Sequence, residues 1–349
     1  MASIRAVLRG SFLALLLIAA AAPAGAIDND TVRIVLNPGV LGYLPLFVAI
    51  DKGYFTGQHI NLDIKTTTAA SSVQLPVLAR GDLDIDPMAM SAGFFNQYAA
   101  GFDLKLIASV LSPHPGWNDS SWIVVRQDVW DSGAVRKLAD LRGKIFDGAT
   151  PGEPPNMLAN EALAQAGLTR ADLKYSERIQ ATNQSVALQN HAIDVGVDFE
   201  PAATQLESQH IAHKWLALRD LMPWYQASFL ATSTAYLQTH RDVVRRFLVA
   251  YLEAARDIAR SNGHWTPELL AIAAKYTQIP RDVLLKMSGP EYCDPGGTIS
   301  AYSLDRQEQY FIEQGLVPKA IAPSSIIDAG PLLEARQALA LRAAGKDTP

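Results

Sequence analysis

TVRIVLNPGVLGYLPLFVAIDKGYF, residues 31–55, reads as strand, glycine-rich turn and helix. Val32, Ile34, Val35 and Leu36 form a branched, apolar run that predicts a first buried strand. Asn37, Pro38, Gly39 and Gly42 then interrupt any continued ladder. Pro45 suits the first turn of a helix, Leu46, Phe47, Ala49, Ile50 and Tyr54 give that helix an apolar side, and Gly53 stands near its exit. In an open α/β sheet such a turn lies at the carboxyl end of a strand, where ligands settle and a helix offers free N–H groups.

Before this stretch the chain reads as a processing signal. Arg5 and Arg9 form a basic start, Phe12 to Ala22 an apolar segment, and Ala22, Ala24 and Ala26 offer small-residue cleavage positions. Residues 1–26 are therefore expected to be removed, leaving a soluble protein of the periplasm. Cys293 is the only cysteine, so no disulfide can form within the chain. The chain carries 30 Lys+Arg and 35 Asp+Glu, a formal charge of −5; without Arg5 and Arg9 the balance is 28 against 35, or −7. That balance gives no general argument for nucleic acid or an anionic membrane as partner.

Strand and helix patterns keep alternating after residue 55. Ile60–Thr67, the Leu83 and Ile85 pair, Leu104–Val110, Trp122–Arg126, Lys144–Asp147, Leu173–Ile179 and Ile193–Phe199 read as strands with helices between them. The alternation predicts an α/β fold with a mostly parallel sheet. The loop LSPHPGWNDSS, residues 111–121, and the stretch 225–231 read as two crossings between domains. They divide the chain into a discontinuous first lobe, 27–120 and 228–340, a second lobe, 121–227, and a flexible tail, 341–349. The helix near 242–260 repeats Val243, Phe247, Tyr251 and Ala255 at four-residue spacing, which predicts one buried face.

Several chemistries lack their residues. The seven histidines form no HExxH arrangement, and His210 with His213 lacks a third ligand. Gly39 and Gly42 belong to neither a phosphate-binding P-loop nor GxGxxG. Ser91 follows a strand but not in the GxSxG elbow, so it reads as a hydrogen-bonding or helix-capping residue. Asp82, Asp84 and Asp86 read as a solvated strand edge rather than an acid–base pair. No cofactor, metal or catalytic residue is expected.

Four strand ends carry small polar groups and then a helix: Gly39–Tyr43, Met90–Gly93, Thr150–Pro155 and Phe199–Pro201. If two lobes face one another, these turns converge on the crevice, with Trp117, Trp224 and Tyr225 near the crossings. GYLPLFVAIDKGYF (42–55), LARGDLDIDPMAMSAGFFNQYAAG (78–101), SSWIVVR (120–126), LADLRGKIF (138–146) and HAIDVGVDFEP (191–201) together resemble periplasmic substrate-binding proteins of ABC importers. The resemblance is to the nitrate, sulfonate, taurine and thiamine-precursor group and spans nearly the whole chain after the signal. It implies the type II periplasmic binding fold, two α/β lobes joined by two crossing segments around a ligand cleft. It also implies a permease of the inner membrane as partner, and a monomer is expected. Family positions lining the cleft fall on Leu41, Gly42 and Tyr43, on Met90, Ser91 and Ala92, on the Trp117–Ser121 loop including Asp119 and Ser121, on Thr150 and Pro151, and on Phe199 and Glu200.

The candidate turns contain no Arg or Lys. Tyr43, Trp117, Phe199 and Trp224 suit a ring or apolar body, while Glu200, Asp119 and Ser91 suit its polar edges. The expected solute is a neutral or weakly cationic aromatic or heterocyclic compound; taurine, a sulfonate or nitrate is the alternative. A pyrimidine-precursor enzyme of the same fold is a further alternative, from whose cysteine-rich pattern this single-cysteine chain departs. A receptor reporting to a membrane sensor is a third.

Overall fold

The first strand forms where the branched residues place it. In the computed structural model, which describes residues 29–67 and 71–345, β1 (Asp30–Leu36) buries Val32, Ile34 and Leu36. It pairs in parallel with β2 (Ile60–Thr66). A 3-10 turn, Leu41–Tyr43, leads into the helix Leu44–Asp51 with Pro45 in its first turn, where a missing N–H leaves no hydrogen bond unmade. The signal segment 1–26, residues 68–70 of the turn after β2 and the end of the tail, 346–349, lie outside the described residues.

The remaining strands form two sheets. β3 (Asp86–Ala89), β4 (Leu104–Leu111) and β10 (Ser228–Ser233) lie in the order β3-β10-β4, while β5 (Ser121–Arg126), β6 (Ile145–Asp147), β7 (Lys174–Ser176), β8 (Val195–Phe199) and β9 (Ala212–Ala217) lie in the order β7-β6-β8-β5-β9. The expected mostly parallel sheet is corrected here. β6 is parallel to β7 and β8, but β5 runs antiparallel to β8 and β9, and β10 runs antiparallel to β3 and β4. β5 and β10 are the strands formed where the two stretches read as crossings end, and each runs against its sheet neighbours.

The short strand predicted around Leu83 and Ile85 lies later, at Asp86–Ala89, and Ile85 makes only a single bridge to Ile34. Asp82 is exposed, as a solvated edge requires, but Asp84 and Asp86 are not. Asp84 is buried and accepts from the Arg33 backbone N–H at 2.7 Å, Nε at 3.0 Å and Nη2 at 2.5 Å. A buried carboxylate requires such charge-assisted partners. Asp86 is also buried, and its Oδ2 has no partner.

The helix Arg241–Ala259 buries Val243, Phe247, Tyr251 and Ala255 as their spacing predicts. Phe247 meets Phe55 at 4.8 Å between ring centroids, and the Tyr251 hydroxyl donates to the Ser109 carbonyl at 2.8 Å. The helix Gly330–Ala343 packs beside it and continues past residue 341, where the sequence reads as frayed, because Leu332, Ala335 and Leu339 bury into the same core.

The helix Ala301–Glu313 holds both lobes. From the segment just after it, the Leu316 carbonyl accepts from Asn96 Nδ2 at 2.9 Å, while the Tyr310 hydroxyl donates to Asn156 Oδ1 at 2.9 Å and accepts from Asn160 Nδ2 at 3.0 Å. Beside the first crossing, the backbones at Gly116, Gly263 and Gly289 stack so closely that no side chain fits at Gly263 or Gly289. A Cβ on Gly289 would lie 1.8 Å from the Gly263 carbonyl oxygen, and one on Gly263, at φ +80°, would lie 2.2 Å from that of Gly116. Backbone cannot yield as a flexible side chain can, so Gly289→Ala is expected to lose roughly 3 kcal/mol. Urea denaturation checks this; a loss below about 0.5 kcal/mol would show that the stack is looser than these distances.

Candidate functional site

The four strand-end turns assemble from both lobes. Ala92, opening the helix Ala92–Ala99, donates its N–H to the Gly152 carbonyl at 2.9 Å, which ties the turn after β3 to the turn after β6. Met90, Ser91 and Ala92 are buried there, while Thr150 and Pro151 stand exposed at the rim. Ser91 occupies the capping position of its helix, yet its hydroxyl caps nothing; Oγ is buried without a partner. The expected capping bond is therefore absent from this structure, and the hydroxyl remains an unused donor and acceptor.

In the turn after β1, Leu41 and Gly42 are buried, and the half-buried Tyr43 donates its hydroxyl to the Pro87 carbonyl at 3.1 Å. Gly42 is required by proximity: a Cβ would lie 2.5 Å from Leu111 Cδ1 and 3.3 Å from Glu291 Oε2. Glu291 is brought here by the returning chain. Its segment bridges Asn118 of the first crossing, whose N–H donates to the Pro290 carbonyl at 3.2 Å.

Three carboxyl-bearing residues are thus brought near one another, since the Glu200 N–H donates to the Ser120 carbonyl at 3.1 Å, next to Asp119, and Asn118 bridges Glu291. Asp119 Oδ2 lies 3.1 Å from Arg219 Nη1, but Oδ1 has no partner. Glu200 Oε1 lies 3.1 Å from Lys214 Nζ, and its Oε2 accepts from the Thr204 N–H at 3.2 Å. Glu291 Oε2 has no partner at all. Burial, reinforced by the nearby Glu200 and Asp119, pushes Glu291 up to about 8. Burial raises Asp119 to about 6 against the opposing pull of Arg219. Beneath the turn, burial alone raises Asp86 to about 8.

The aromatic candidates divide. Phe199 is half-buried at the end of β8, paired across the ladder with Ser121 and adjacent to Glu200. Trp117 instead packs into the core of the first lobe, 7% exposed, edge-on to Tyr292 at 5.3 Å, and it is the Trp117 carbonyl that accepts from Arg219 Nη1 at 2.7 Å. Trp224 meets Tyr225 and Tyr302 edge-on, with Arg306 5.0 Å over its ring. Tyr225 is buried with an unpartnered hydroxyl.

Sequence reasoning missed Glu291, Arg219 and Lys214. EYCDPGG around Glu291 has no periodicity, and nothing local indicates that it reaches the turn after β1. Among the described residues no group of three or more His, Cys, Asp and Glu is arranged to hold a metal ion. A surface hollow of about 800 Å³ at Pro151, Tyr175, Glu177 and Arg178 is lined by the second lobe alone and holds none of the three carboxyl groups.

The sequence profile of the NMT1/THI5-like family matches residues 42–261, from Gly42 in the turn after β1 through the other three turns. The chain belongs to the NMT1/THI5-like family. YtlA of Bacillus subtilis (strain 168), named as a candidate binding protein, is 23% identical over 217 residues; the match spans 61% of each chain. The periplasmic aliphatic sulphonate-binding protein SsuA from Escherichia coli is 21% identical, with a TM-score of 0.69 over 86% of this chain and 92% of that one. The periplasmic nitrate-binding protein NrtA from Synechocystis PCC 6803 is 14% identical, with a TM-score of 0.71 over 92% of both chains. The fold of this NMT1/THI5-like chain is therefore that of the periplasmic binding proteins, and among its described residues no helix is long and apolar enough to cross a membrane.

The raised acidity constants have a sign. A carboxyl that holds its proton more tightly folded than unfolded favours folding below its ordinary value and loses that contribution as pH rises through the folded value. Ligand-free protein is expected to lose stability between pH 4.5 and about 8 as Glu291 is forced to ionise. Glu291→Gln should melt progressively higher, relative to the parent, across that interval. A constant difference in melting temperature from pH 5 to 8 would contradict the assigned burial.

Proposed function

We propose that this protein is the solute-binding component of an ABC-type import system, working in the periplasm, and that it delivers a small organic solute of aromatic or heterocyclic body to a membrane permease. The observation that carries this reading is a set of buried polar atoms with no partner in the protein, Ser91 Oγ, Asp119 Oδ1 and Glu291 Oε2, in and beside strand-end turns that a backbone bond ties together, Ala92 N–H to the Gly152 carbonyl. Buried donors and acceptors are rarely left so unless a ligand completes them. Membership of the family and the fold shared with SsuA and NrtA support the same role.

Phe199 and Tyr43 supply partly exposed ring faces beside these polar atoms, a combination suited to a flat solute with polar edges. An inorganic or sulfonate anion is less well served. Arg219 and Lys214, the cations nearest the carboxyl groups, are already paired with Asp119 and Glu200. Anion sites combine helix N-termini with free basic groups.

Thermal denaturation of ligand-free protein against ring-bearing solutes, nitrate and taurine tests the reading. A solute at about one hundred times its Kd adds about 2.7 kcal/mol of stability. A saturable rise with a ring compound, recovered chemically unchanged, is the expected result. Selective stabilisation by nitrate would reassign the solute, and conversion of the bound compound to product would replace binding by catalysis.

A further inference from the structure

Resting on that solute-binding reading, we propose that the crevice selects a cationic head group with several N–H donors, such as an amidinium, a protonated amino-heterocycle or an ammonium, and that Glu291 is the residue that receives it. Three carboxyl groups, Asp119, Glu200 and Glu291, come from three separate segments. Two protein cations answer them: Arg219 on Asp119 and Lys214 on Glu200. Lys214 is further held 4.8 Å over the Trp122 ring and 2.9 Å from Thr204 Oγ1, so it is committed to that corner. The charged groups that act on Glu291 are Glu200 and Asp119, both of its own sign.

Two buried acceptor oxygens therefore have no donor, Glu291 Oε2 and Asp119 Oδ1, on residues that are 8% and 1% exposed. A buried acceptor without a donor is costly, and a buried carboxylate without a countercharge more so. A ligand that brings both N–H groups and positive charge satisfies both requirements. An anion brings neither and adds to the repulsion. A neutral ring fills the apolar part but brings no positive charge against which Glu291 could give up its proton. The close approach of Glu291 Oε2 to Gly42 places the head group beside the turn after β1, next to Tyr43.

The test uses compounds sharing one ring: benzamidine and benzylammonium as cations, benzamide as the neutral form, benzoate and benzenesulfonate as anions, with nitrate and taurine beside them. Ligand-free protein and its Glu291→Gln variant are titrated calorimetrically and by thermal shift. The cations are expected to bind at least about tenfold more tightly than benzamide, and the anions more weakly than benzamide. Glu291→Gln should weaken the cations by about tenfold and benzamide by clearly less, so that the preference for cation over neutral ring shrinks. The comparison of charges on the parent protein stands even if the variant does not fold. Tighter binding of an anion than of either cation would leave the protein a solute binder and overturn the cationic assignment. Unchanged cation affinity in a folded Glu291→Gln variant would overturn the role of Glu291. Binding of no compound of any charge would overturn both this assignment and the solute-binding reading beneath it.

Discussion

The glycine stack of Gly116, Gly263 and Gly289 is the constraint on which the crevice depends. Gly116 belongs to the stretch read as the first crossing and Gly263 and Gly289 to later segments of the first lobe, and their backbones touch. At Gly289 and Gly263 the space for a Cβ is already taken by a neighbouring carbonyl oxygen. That contact fixes the path of the chain immediately before Trp117, Asn118 and Asp119, and on its other side the path into Pro290 and Glu291. Two of the three carboxyl-bearing residues, Asp119 and Glu291, are thus placed by the chain on either side of this contact.

Burial at this hinge sets the electrostatics. A carboxyl group removed from water either acquires cations and donors or holds its proton. Asp84 shows the first outcome, with three bonds from Arg33 that clamp β1 to the approach of β3. Glu291 shows the second. Asp119 lies between them, with one oxygen at Arg219 and the other unpartnered. The gradation follows the count of partners rather than depth, since all three side chains are buried.

The sequence made some of this visible. Val32, Ile34 and Leu36 followed by Pro38, Gly39 and Pro45 specify strand, turn and helix within one short window, where propensity and pattern agree. The irregular loop between β4 and β5 also shows locally, because LSPHPGWNDSS breaks an otherwise regular alternation. Strand direction does not. The patterns of β5 and β10 are those of buried strands, and a buried apolar run reads the same whichever way its neighbours run. Trp117 looked like a crevice aromatic because its loop is polar, but Tyr292, far along the chain, covers it. Asp84 and Asp86 looked solvated because alternation reports a face of a strand without reporting what lies upon it. Glu291 was illegible for the same reason: its partners are set by the fold, and its own neighbours, Tyr292, Cys293 and Asp294, carry no period.

The placement of the three carboxyl groups also gives the crevice a physical reason to respond to its solute. Asp119 leaves the first lobe at the crossing, Glu200 ends a strand of the second lobe, and Glu291 belongs to the segment returning through the first. Bringing the lobes together brings like charges together, so closure without a ligand demands a proton on Glu291 or tolerates repulsion. The backbone bond from Ala92 to Gly152 and the Tyr310 bonds to Asn156 and Asn160 oppose that repulsion by joining the lobes elsewhere. A cation held between the carboxyl groups would reverse the sign of the interaction at the crevice while leaving those outer contacts intact. Ligands shift a conformational equilibrium only by their differential affinity for its states, and a charge that is favourable only when all three carboxyl groups surround it supplies that difference.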